Sequence, residues 1–148
     1  MADSRVTNLQ LYSDFFEEAM AGIVLTHSAL DGFASEQVPE TFRYETDNGG
    51  HLSREEVLRR GIELRLTRVL AQASGSPNVR TSNPDLWLRV EELKGVRDRI
   101  AHGLGPQFIS SEDPMENVFA RLAARDFGAL LESVEEVIDH YLGPVGPL

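Results

Sequence analysis

From Asn8 to Val38 the chain reads "NLQLYSDFFEEAMAGIVLTHSALDGFASEQV", and nothing constrains its fold more than this stretch. At about 100° per residue, Tyr12, Phe16, Ala19, Met20, Ile23, His27, Leu30 and Ala34 fall on one face, the stripe of an amphipathic helix. Pro39 disfavours helical backbone at the residue before it, so the helix ends there. Such a stripe cannot be buried by its own helix, so the rest of the chain has to supply a matching face.

Three further segments do so. Ser53 and Glu56 form an S-x-x-E capping box, and Val57, Leu58, Ile62, Leu66, Val69 and Leu70 continue at helical spacing to about Ala73. Asn83 suits an N-cap and Pro84 the first helical position, opening a helix through "DLWLRVEELKGVRDRIAH" that stops at Gly103. "RDFGALLESVEEVIDHYL" is a last helix, closed by Gly143 and Pro144. Asn48, Gly49 and Gly50 mark a turn. Leu104 to Pro114 reads as a connector, and "MENVFARLA" fits extended chain or a helical turn. With 148 residues and no repeat, the expectation is a single all-α domain over 1–148, an antiparallel four-helix bundle.

Composition narrows the setting. There are no cysteines, hence no disulfides or thiolate metal sites. The start lacks the basic and apolar regions of a secretory signal, and no apolar run is long enough to span a membrane. A cytoplasmic protein without membrane contact is expected. The net charge of -10 opposes tight non-specific binding to duplex nucleic acid. Arg89 to His102 departs from that average, with four basic against three acidic residues.

Within this segment Arg97 is out of place. On a helical wheel it lies about 20° from Leu86, among Val90, Leu93, Ile100 and Ala101, whereas His102 lies about 140° from Arg97. A buried guanidinium needs a partner. An ion pair with Asp31, an arginine whose head snorkels to water, a subunit interface and a ligand phosphate all answer that need. Asp98 stands four residues before His102 and can orient it; a helix-terminal histidine interacting with the last carbonyls is the alternative. Among the other polar residues, His27 reads as a satisfied core histidine and His51 as a solvated loop residue. Trp87 either packs on a neighbour or stacks on a base. Glu136 and His140, four apart, read as a surface pair rather than metal ligands.

"RDRIAHG" resembles the arginine–polar–spacer–histidine signature of HEPN-domain proteins, with "SALDGFASEQVP" as a weaker echo in the first helix. The resemblance implies a HEPN-like bundle with Arg97 and His102 as a catalytic pair and Asp98 as the polar residue after the arginine. It implies a metal-independent endoribonuclease without cofactor, in which the RNA 2′-OH attacks the adjacent phosphate. Histidine, with an ordinary pKa of ~6.5, would move the proton and arginine would hold the phosphate. Toxin–antitoxin or phage-defence roles follow, with RNA as substrate and an antitoxin or a nucleotidyltransferase as candidate partner. A homodimer would bring two motifs to one cleft. The other branch is a catalytically inactive HEPN module that binds a nucleotide or a protein.

Overall fold

The computed structural model describes residues 4–102 and 126–143. Helix α1 runs from Ser4 to Glu36 and buries Ile23, His27, Leu30 and Ala34 along one line. After Pro39 the chain forms a hairpin, β1 (Arg43–Glu45) against β2 (His51–Ser53), with Tyr44 opposite Leu52. Its turn closes through Thr46 N–H donating to the Gly50 carbonyl at 2.8 Å, with Gly49 at φ 75°, where only glycine sits without strain. The Gln72 side chain clamps the Glu45 backbone by donating to its carbonyl (2.9 Å) and accepting from its N–H (3.0 Å).

Ser53 then caps α2 (Arg54–Leu58) with both halves of the capping box formed. The Ser53 N–H, then its hydroxyl, hydrogen-bonded to the Glu56 carboxylate, hold its pKa below the usual value. The helix expected from Ser53 to Ala73 is interrupted. It stops at Arg59 and restarts beyond Gly61 as α3 (Ile62–Leu64), widens into a π turn over Arg65–Val69, and continues as α4 (Leu70–Ser74). At the wide turn the Tyr141 hydroxyl donates to the Leu66 carbonyl and accepts from Val79 N–H at 3.3 Å. Burial raises the Tyr141 pKa, so it stays a neutral donor. A short α5 (Val79–Ser82) leads to α6 (Pro84–Ala101), capped by Asn83. Helix α7 (Phe127–Leu142) is capped by Asp126 and ends at Gly143, φ 80°.

The main core lies where α1, α6, α7 and the π segment meet, around Ile23, Leu30, Leu66, Leu93 and Val137. A second small core joins Val38 at the end of α1 to Tyr44, Val57 and Val69. This second core overturns the purely helical expectation. The chain is not an all-α four-helix bundle, because a two-stranded antiparallel sheet stands between α1 and α2. Strands of three residues are too short to show alternation in sequence. The HEPN resemblance requires an all-helical fold, so it fails on the same finding. With it fail the endoribonuclease activity, the toxin and phage-defence roles, and the inactive HEPN module.

Among the described residues no helix is long and apolar enough to cross a membrane. The expected stop at Gly103, the Leu104–Pro114 connector, "MENVFARLA", Pro144 and the packing of the Tyr12 side chain lie outside the described residues.

Candidate functional sites

Two places on the molecule have features beyond packing. The first surrounds Arg97. Helix α6 carries Leu86, Val90, Leu93 and Val96 into the core and sets Arg97 at the edge of that stripe, half-buried against α1. Its Nη2 donates to His27 Nε2 at 3.2 Å, and its Nη1 lies 3.2 Å from Asp98 Oδ1. Its Nε is buried without a hydrogen-bond partner. Because the arginine donates, His27 must accept, and an accepting imidazole is neutral with its proton on Nδ1. Burial, then the Arg97 charge, lowers the His27 pKa; Lys94 acts the same way, while Asp31 and Asp98 oppose.

The Arg97–Asp31 pair named as one option in the sequence is not formed. Asp31 instead pairs with Arg65 of the π turn, Nη2 to Oδ1 2.6 Å, in a contact poorly aligned for a hydrogen bond. Arg65 also donates to the Ser35 hydroxyl. Asp98 is shared by Arg97 and by Lys94, whose Nζ is 3.3 Å away, rather than turned to His102. His102 is the exposed C-cap of α6. The structure therefore joins Arg97 and Asp98 but adds His27, not His102, to their cluster.

Beside His27 is a narrow cleft between α1, α3 and α6, floored by Leu30, Leu66 and Val90 and edged by Glu63, Glu91 and Lys94. Trp87 lines it and is buried, with an unpartnered Nε1 and the Arg80 guanidinium carbon 5.9 Å from its ring centre. The space inside is about 20 Å³, room for a single water and not for a nucleotide. Glu136 and His140 diverge: Glu136 takes both Nη atoms of Arg89 at 2.6 and 2.7 Å, and His140 donates to the Pro77 carbonyl at 2.7 Å. The ion pair with Arg89 holds the Glu136 carboxyl below its usual pKa. His51, expected in a loop, is exposed on β2.

The second place is a groove between α1 and α7. Phe15 and Glu18 stand on one side, Phe127 and Leu131 on the other, and Ala19, Gly22 and Ile23 form the floor. The space inside is about 240 Å³. Phe15 and Phe127 meet edge to face across it, ring centres 6.4 Å apart. Leu11 lies one turn before Phe15, and Leu11, Phe15 and Leu131 are 63%, 49% and 41% exposed. Small residues at 19 and 22 make the floor concave; a Cβ on Gly22 would meet nothing within 4 Å. Sequence reasoning placed Phe16, Ala19 and Ile23 on one stripe but did not see that Phe15 and Leu11 remain uncovered beside it.

No protein-family model, curated protein or solved structure matches this chain.

Proposed function

We propose that this chain is a protein-interaction domain whose working surface is the α1–α7 groove. One observation carries the reading: Phe15 and Leu131 are exposed on the two walls of a single apolar groove, with exposed Leu11 one turn before Phe15. Isolated exposed leucines such as Leu25 and Leu88 are ordinary, but a contiguous apolar patch with a polar rim marks a contact surface. Among the side chains described on α1 before Ile23, Leu11 and Phe15 are exposed, while Phe16 and Met20 are partly buried against the core. The Arg97 cluster supports no competing reading, since its cations already meet His27 and Asp98 and its cleft holds about one water. A cytoplasmic setting belongs to the same proposal, since a cysteine-free chain gains nothing from an oxidising compartment.

A photo-reactive residue at position 15, with one at position 88 as control, tests this in cells. A discrete protein adduct at 15 and not at 88, lost when Leu131 is also changed to Glu, is the expected result. An adduct with RNA, or equal adducts at both positions, contradicts it.

A further inference from the structure

The groove's charge identifies the kind of partner. From Gln10 to Glu36, α1 contains no lysine or arginine, and neither does α7. Glu18 lines the groove. Asp14, one turn before Glu18, and Glu135, one turn after Leu131, are exposed beside it. None of these three has an ion pair among those described, whereas Glu136, next to Glu135, is matched by Arg89. Among the described residues the surface is an apolar trough with carboxylates at its edges and no lysine or arginine in its lining.

We infer that the groove receives an amphipathic helix of a partner protein with leucine-like residues on one face and lysine or arginine flanking them. This rests on the reading of the groove as a docking surface and adds the chemistry of what docks. Helix-in-groove recognition places apolar side chains at i, i+3, i+4 and i+7 into such a trough. The open space over Gly22, between Phe15 and Leu131, accepts the central apolar side chain. Basic flanks then meet Glu18 on the α1 wall, with Asp14 one turn before it, and Glu135 one turn beyond Leu131 on α7. Opposite charges at the rim steer the encounter and select against acidic helices. A second copy of this chain is the poorer occupant, because it would set the same acidic edges against each other in a chain of net charge -10.

The test uses the full chain and two fluorescent peptides with leucine at helical spacing, one with lysine and one with glutamate at the remaining positions. Fluorescence anisotropy should show the leucine–lysine peptide bound, weakening as salt rises, and the leucine–glutamate peptide unbound. Gly22→Leu fills the trough and should weaken binding at least about tenfold, the equivalent of ~1.4 kcal/mol. Leu88→Ser, outside the groove, should leave it unchanged. Gly22→Leu should also keep or raise the melting temperature, because leucine is the better helix former and the Cβ it adds meets nothing within 4 Å. Gly22-sensitive binding of the glutamate peptide would overturn the basic partner while leaving the docking surface in place. Lysine-peptide binding indifferent to Gly22→Leu would be diffuse charge attraction and would overturn both. So would a clear fall in melting temperature for Gly22→Leu, which would mean the chain fills the trough itself. A wild-type dimer in light scattering that Gly22→Leu converts to monomer would assign the groove to a second copy and overturn the partner helix.

Discussion

Helix α1 is continuous in backbone and divided in environment. Its C-terminal half puts Ile23, His27, Leu30 and Ala34 into the core at 6% exposure or less. Its N-terminal half has the same apolar spacing, yet Leu11 and Phe15 stay in water and Phe16 and Met20 only edge the core. The lengths explain why. At 33 residues α1 is about 50 Å long, whereas α6 with 18 and α7 with 16 span about 27 and 24 Å. An amphipathic pattern thus says that a face will be covered, not by what. In the second half the chain covers itself; in the first, among the described residues, Leu11 and Phe15 stay open, which is where the proposed partner would sit.

The largest expected difference between the halves is in stability. Leu30→Ala should cost about 2–5 kcal/mol, because Leu30 is enclosed and its loss leaves a cavity. Phe15→Ser should cost less, about 0.5–1.5 kcal/mol, because Phe15 is half exposed and gives up only its edge contacts with Phe16 and Phe127. Urea unfolding of the two variants makes the comparison, and equal losses would erase it.

The second half also holds its polar groups in fixed pairs. Arg65→Ala removes a buried guanidinium from Asp31 and Ser35. With Asp31 half exposed and partly screened by water, the expected cost is about 1–3 kcal/mol. Tyr141→Phe leaves Val79 N–H and the Leu66 carbonyl without the hydroxyl, at a cost of about 1–2 kcal/mol in the same assay.

A smaller effect should appear with pH. His27 has a lowered pKa in the fold, so between its folded value and the ordinary ~6.5 the unfolded chain binds more protons. Its contribution to stability is complete above about 6.5 and is lost as pH falls through the folded value. Melting temperatures from pH 7.5 to 5.5 should decline in the wild type and flatten in His27→Gln, which keeps an acceptor for Arg97. An unchanged slope in the variant would mean His27 is not the titrating group.

Capping chemistry was the most legible part of the fold. Ser53 with Glu56, Asn83 with Pro84, and Gly143 act where their short-range signals lie, because a cap is decided by neighbouring residues. The hairpin was not legible. It is held by the Gln72 clamp on Glu45 and by Tyr44 packing on Val57 and Val69, all contacts between distant positions. The break at Gly61 and the π turn were hidden for a related reason: Ile62, Leu66, Val69 and Leu70 keep a helix-like period while the backbone between them changes. Arg97, read from the sequence as lying within its apolar stripe, stands half-buried at the stripe's edge. Its partner could not be chosen from sequence, because Asp31 and His27, one turn apart on α1, both sit within reach of α6. The structure gives Asp31 to Arg65 and leaves His27 for Arg97. The endoribonuclease expectation rested on a short motif and fell with the all-helical fold it required.

Amide hydrogen exchange resolved along α1 tests the central claim most directly. In the free protein, amides of Gln10–Met20 should exchange through small local openings, while those of Ile23–Ala34 should approach the global stability. Adding the leucine–lysine peptide should slow exchange in Gln10–Gly22 and at the start of α7, with little change in Ile23–Ala34. Protection already uniform along α1 in the free monomer, or a peptide effect confined to Ile23–Ala34, would contradict the account.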